Sequence, residues 1–172
     1  IIILNKLIPQ HLDENFITIL KNITKERTDA KKSGDKLKAD ALKITINSIF
    51  GKLGSDTFWL EDSKAFISVT LSAHLYLLML IERLTLCGIT VISANTDGIV
   101  CMIPRHLENE YYTVCKEWES KTSFALEFTD YVLYIRSDVN NYVTKKADGK
   151  TKEKGRYLKD IDWKKGYKYP IV

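Results

Sequence analysis

One stretch limits the folds open to this chain more than any other: "AFISVTLSAHLYLLMLI", residues 65–81, is almost continuously apolar. A membrane-spanning helix needs about 20 such residues. This run is shorter, carries Ser, Thr and His74, and is followed at once by Glu82 and Arg83. It reads as a buried core helix over about residues 63–87, ended by Gly88 where a C-terminal glycine belongs, and no membrane partner is expected. A chain of 172 residues with 45% hydrophobic content can bury such a helix, in one domain or in two closely packed subdomains.

The chain opens on "IIILNKLIPQ", without Met and without a charged-then-apolar leader, and so reads as a structured piece of something longer. Its three cysteines, Cys87, Cys101 and Cys115, are widely spaced and never in a C-x-x-C pair. That disfavours a disulfide framework and a zinc site, and points to a reducing compartment. The net charge of +4 is uneven, because residues 142–172 hold ten Lys/Arg against four Asp/Glu, interleaved with Tyr142, Tyr157, Trp163, Tyr167 and Tyr169. Such a mixture suits either a surface that follows phosphates while packing on bases, or a solvated tail.

Periodicity predicts helices over about residues 9–32 and 37–53, joined by the turn "KKSGDK" ahead of the apolar helix. After it come a strand pair at 89–94 and 99–103, a helix at 105–121, and β-rich segments at 124–136, 139–145 and 154–161. The Asp-Gly turn "KADGKTK" separates the last two. No internal repeat is evident. On the second helix Leu42, Ile46, Ile49 and Leu53 form an apolar stripe, while Lys43, Asn47 and Phe50 lie at i, i+4 and i+7 on a neighbouring face. Arg27 and Lys31 of the first helix are likewise i and i+4. A reversal near Ser33 and Gly34 puts Arg27 and Lys43 at comparable distances from the turn, at about 1.5 Å per residue. Three cations gathered in this way repel one another unless an anion such as a triphosphate sits among them; the alternative is a plain solvated basic hairpin. In the strand pair, Asn95-Thr96-Asp97-Gly98 is either an ordinary turn, with Asp chosen for backbone hydrogen bonding, or a carboxylate held at a hairpin tip for a metal.

The stretch "KITINSIFGKLGS", residues 43–55, resembles the K-x-x-x-N-S-x-Y-G signature on the fingers helix of family B DNA polymerases, with Lys43, Asn47, Ser48, Gly51 and the aromatic Phe50 coinciding. Arg27 and Lys31 are similar to the Arg-x-x-x-Lys of the preceding fingers helix. "SANTDGIV" resembles the palm hairpin, usually D-T-D-S, and "VNNYV" followed by "KGRY" resembles the late palm segment, usually K-K-R-Y. These features stand in the family's order across residues 9–160. The resemblance implies an α+β fold: an antiparallel helical hairpin (fingers, residues 1–54) packed on a palm-type antiparallel sheet with flanking helices (residues 55–172).

The resemblance also implies roles. Nucleotidyl transfer relies on two divalent ions that clamp the attacking and leaving oxygens, and Mg²⁺ favours carboxylates with substrate phosphates. Asp97 takes the slot of the metal-binding, catalytic carboxylate, while Asn95 occupies the other acidic slot and brings no charge; Gly98 replaces the usual Ser and should ease the turn. Arg27, Lys31 and Lys43 would neutralise the triphosphate, with Lys43 also catalytic, and Asn47 would lie beside them. Phe50 stands for a Tyr that lines the nascent base pair. Gly51 and Gly54 would let template DNA approach, although helix termination explains glycine there equally well. Lys154, Arg156 and Tyr157 would contact the duplex, with Gly155 where a family lysine should be.

Nothing before Pro9 resembles D-x-x-S-L-Y-P, the strand bearing the other metal-binding Asp, and no exonuclease or thumb is recognisable. The expectation is a DNA-directed DNA polymerase fragment that is inactive alone, with two Mg²⁺ ions partly liganded from outside this chain. Its partners would be primer-template DNA, deoxynucleoside triphosphates and the remaining polymerase domains. The implied setting is cytoplasmic, that of a bacterial host for a phage-like chain. A non-catalytic nucleic-acid-binding module and a plain helical interaction protein are the other readings.

Overall fold

The computed structural model describes residues 1–155. Its first element, α1, spans Asn15–Ser33, six residues later than the periodicity suggests. The intervening backbone amides have other partners: Leu12 donates to the Pro9 carbonyl at 2.9 Å, Gln10 donates to the Asp62 carboxylate at 2.7 Å, and Asn15 donates to Asp13 Oδ1 at 3.0 Å. The end of α1 is built on Gly34, whose φ of 80° is one that side chains rarely adopt. Gly34 and Asp35 donate their amides back to Lys31 and Ala30, the paired bonds of a Schellman motif. Asp35 then caps α2, Lys36–Leu53, by accepting the Lys38 amide at 3.0 Å. So short a connection leaves α1 and α2 packed along one another as an antiparallel hairpin.

The apolar run lies in α3, Ser63–Leu86, capped by Asp62 and closed by Gly88 with the same pair of bonds, Gly88 to Thr85 and Ile89 to Leu84. Its burial corrects the expectation of an enclosed core helix. Ala65, Val69, Leu80 and Leu84 are buried, but Ile67, Leu71, Leu75 and Leu78 line an open face and are about half exposed, at 48–60%. Flanking residues extend the helix to 24 residues, so by length and composition alone it is long and apolar enough to cross a membrane, contrary to the reading of the run as too short.

Strands β1 (Thr90–Ala94) and β2 (Ile99–Met102) form an antiparallel pair with an irregularity between Val91 and Ser93. A short 3-10 turn after Pro104 leads into α4, Glu108–Thr122. The chain is α+β, as expected, but among the described residues its strands make two small sheets: β1-β2, and a second of order β3-β4-β5 from Tyr131–Asp138, Asn141–Lys146 and Thr151–Lys154. The predicted strand over 124–136 begins only at Tyr131. Before it, the Leu126 amide donates to the Glu119 carboxylate at 2.6 Å while Phe124 and Leu126 pack inward, so the backbone there is not free for a ladder. The Asp148-Gly149 turn is tighter than expected, with Gly149 at φ 85° donating to Lys146, so β5 starts at Thr151. The rest of the strand predicted over 154–161 lies outside the described residues.

Two apolar clusters hold these parts. Leu80, Leu84, Ile89, Val114, Cys115 and Trp118 join α3 and α4 beneath β1 and β2, and the Trp118 indole donates to the Tyr76 carbonyl at 2.8 Å. Leu53, Leu60 and Ala65, with Ile2, Leu12, Phe16, Ile49 and Phe66 against them, join the N-terminal segment, the base of the helical hairpin and the start of α3.

Candidate functional site

The apolar stripe of α2 turns inward as its spacing predicts: Leu42, Ile46 and Ile49 are half-buried and Leu53 is buried. Lys43 and Asn47 consequently face solvent. On α1, Arg27 is half-buried and Lys31 exposed. Arg27 lies six residues from the end of α1 and Lys43 seven from the start of α2, so they are level to within about 2 Å along the hairpin, with Lys31 one turn nearer the connection. Among the described residues none of the three has an ion-pair partner; the hairpin's one cross-helix pair is Glu26 with Lys38, 3.7 Å apart and well exposed. Such a pair contributes little, about 0–1 kcal/mol, and leaves the other cations uncompensated.

Phe50 is not a free flat surface. Its ring stacks on Phe66 of α3, with centroids 4.9 Å apart and planes inclined by 23°, so one face is covered. The same packing explains Gly54, where a Cβ would stand 3.1 Å from the Phe66 ring. Gly51 differs, because a Cβ there meets open space.

At the tip of the β1-β2 hairpin, Asn95 donates its amide to the Gly98 carbonyl at 2.9 Å and accepts the Asp97 amide on Oδ1 at 3.1 Å. The turn is therefore held by Asn95, and Gly98, which takes no positive φ, is not what makes it form. Asp97 is exposed, and its carboxylate has no hydrogen-bond or ion-pair partner among the described residues. A charged oxygen donor left uncommitted at a fixed tip fits one ligand position of a hard cation. No group of three or more His, Cys, Asp or Glu able to hold a metal gathers among the described residues.

Of the duplex residues, Lys154 ends β5, while Arg156 and Tyr157 lie outside the described residues. Gly155 has a local reason to be glycine: its φ is 103°, and a Cβ there would collide with Asn141. Register then reveals a surface that motif reading missed. Arg136, Tyr142 and Lys154 are cross-strand partners in one row, and partners share a sheet face. Tyr134 stacks on Tyr142 at 5.7 Å, Tyr131 follows at 5.9 Å, and the Lys154 ammonium lies over the Tyr142 ring at 5.9 Å while donating to Asn140. Arg136 reaches Ser93 of β1 at 3.5 Å, tying this sheet to the Asp97 hairpin. The signal was a strand holding Tyr131, Tyr134 and Arg136, but irregular register near Tyr131 and Arg136 hides their common face from a period-two reading.

The Cys101 and Cys115 thiols lie against the core. Burial pushes the Cys101 thiol up to about 11 and raises Cys115 too, so both stay protonated near neutrality.

No family model matches the chain. It is 29% identical to DNA polymerase II of Escherichia coli (strain K12) over a 115-residue alignment that takes in 59% of this chain and 15% of that protein. Its fold is similar to that of the family B DNA polymerase from the hyperthermophilic archaeon Pyrobaculum calidifontis, with a TM-score of 0.62 at 19% identity over 85% of this chain. That match takes in 20% of the solved polymerase, so the chain spans a small part of the length of both relatives. The resemblance to DNA polymerases read from the motifs is thus found again in sequence, and the fold is similar to that of a family B DNA polymerase.

Proposed function

We propose that the chain is the fingers and part of the palm of a DNA-directed DNA polymerase, with the fingers over residues 1–54 and the palm over residues 55–172. The observation that carries this reading is the pairing of three uncompensated cations on a helical hairpin with an uncommitted carboxylate on a β-hairpin, within a fold similar to that of a solved polymerase.

Each side chain then has a task that its surroundings suit. Arg27, Lys31 and Lys43 neutralise the β and γ phosphates of an incoming deoxynucleoside triphosphate and stabilise the charge that develops on the leaving pyrophosphate. Asn47, one turn beyond Lys43, offers an amide to the same substrate. Phe50, braced by Phe66, and the open Gly51 face the nascent base pair. Asp97 would be one carboxylate ligand of a two-Mg²⁺ centre, with a second carboxylate supplied by the remaining polymerase domains. When bound, the two ions stabilise the attacking and leaving oxygens of nucleotidyl transfer. Lys154, Arg136 and the tyrosine row hold the primer-template duplex by phosphate contact and packing.

Calorimetric titration of this chain with dATP in Mg²⁺ tests the nucleotide half. Lys43→Ala should weaken binding by about tenfold, the effect of losing one charge-assisted phosphate contact of about 1.5 kcal/mol. Equal binding by wild type and Lys43→Ala contradicts the assignment. A non-catalytic nucleic-acid-binding module instead predicts DNA binding indifferent to nucleotide and to Asp97→Ala at any Mg²⁺ concentration.

A further inference from the structure

The open face of α3 has an apolar order that is alike from either end. Ile67, Leu71, Leu75 and Leu78 fall along one side of the helix at 3.6 residues per turn, away from the side on which Ala65, Val69, Leu80 and Leu84 are buried. Lys64 and Glu82, both exposed, continue the same line beyond its two ends. Among the described residues neither has an ion-pair partner. Lys64 and Glu82 each stand nine residues from Ala73, Leu71 and Leu75 each two, and Ile67 and Leu78 six and five. Turning the helix end for end therefore lays leucine on leucine and puts the cation where the anion was. Because the opposite side of α3 is packed in the core, lipid could not surround this helix, and the stripe is a surface for a single flat contact.

We propose that this face is a self-association surface, on which a second copy of the chain packs α3 against α3 in the antiparallel sense. A two-fold axis level with Ala73 sets Leu71 against the partner's Leu75 and Ile67 against the partner's Leu78, each contact occurring twice as such an axis requires. The same axis brings Lys64 to the partner's Glu82 at both ends of the stripe. A parallel pairing would instead set Lys64 beside the partner's Lys64, and like charges across an interface are unfavourable. Steps of four and three residues between the exposed apolar positions suit helices inclined by about 20°, which keeps the two ends, about 13 Å from the axis, within reach of a lysine side chain. An unrelated surface would require no such symmetry of the stripe. Four half-exposed side chains from each copy make a small contact, below the roughly 1,200 Å² of stable complexes, so the pairing is weak, with a Kd on the order of 10 µM. In more dilute solution the chain is single and the face is bare. The inference does not rest on the polymerase reading.

The test is sedimentation velocity of the 172-residue chain, which should pass from one copy to two between about 1 and about 100 µM. Lys64→Glu alone, or Glu82→Lys alone, sets like charges at both ends of the stripe and should weaken pairing by about tenfold. Mixed in equal amounts, the two variants regain an opposite pair at each end, so they should pair with each other at about wild-type strength while each by itself stays largely single. Leu75→Asp puts two carboxylates at the apolar centre and should remove pairing over the whole range. Melting curves of dilute samples should match wild type for all three variants, since the altered side chains are exposed. A chain that stays single at about 100 µM overturns the proposal and leaves the face to be covered by another part of a polymerase. Pairing untouched by Leu75→Asp places the contact elsewhere and overturns it too. So does pairing no stronger in the mixture of the two charge variants than in each alone, which removes the antiparallel arrangement. Loss of the polymerase reading, through dATP binding indifferent to Lys43→Ala, would leave this surface standing.

Discussion

Asp62 engages both carboxylate oxygens with backbone amides, Ala65 at 2.8 Å and Gln10 at 2.7 Å, and in doing so caps α3 and ties the N-terminal segment to it. Asp62→Ala should cost about 1–3 kcal/mol, the range for losing a cap and leaving amides unsatisfied. The Ala65 amide first, then the Gln10 amide, hold this carboxyl below its usual range, against the opposing effect of burial. A carboxyl depressed by folding adds stability that is fully present above its unfolded pKa and disappears as pH falls through the folded one. Denaturant midpoints measured between pH 7 and pH 2 should therefore fall more steeply in wild type than in Asp62→Asn. Equal slopes would remove Asp62 from the acid response. At this scale the sequence was partly legible. Asp97 was visible as a hairpin-tip carboxylate, but the work of Asn95 was not, because its use as acceptor for the Asp97 amide depends on the folded turn. Phe50 was legible as aromatic but not as half-covered, since Phe66 reaches it from another element.

Helices and caps were the most readable elements, because each rests on neighbours in sequence: Gly34 and Gly88 end α1 and α3, and Asp35 starts α2. Segments whose partners are distant were misplaced. Residues 9–14 follow Asp62, and residues 124–130 follow Glu119 and the core, so their local pattern misleads. For α3 the pattern announced apolarity but not which side is covered. Leu84→Ala, at a fully buried position, should cost about 2–5 kcal/mol. Leu75→Ala, at 56% exposure, should cost under about 1 kcal/mol. Urea unfolding of both variants checks the contrast, and comparable losses would mean that the open face is covered in solution.

At the scale of the molecule, two apolar clusters fix a helical hairpin and a β-hairpin on opposite stretches of one long helix. The motifs in "KITINSIFGKLGS" and "NTDG" pointed to this pairing because their order survives in sequence, and a similar fold in a solved polymerase accords with it. Tyr142 and Lys154 were visible in the late-palm resemblance, but Tyr131, Tyr134 and Arg136 belong to no spaced motif, and only strand register joins them to that row. On the proposed function, Asp97 binds a metal ion for nucleotidyl transfer. The most direct test is Mg²⁺-dependent primer extension by a polymerase carrying this segment, comparing wild type with Asp97→Ala. The expected result is a rate loss of about 10³-fold or more, about 4 kcal/mol of transition-state stabilisation, with primer-template affinity little changed. Extension by Asp97→Ala at the wild-type rate would contradict it.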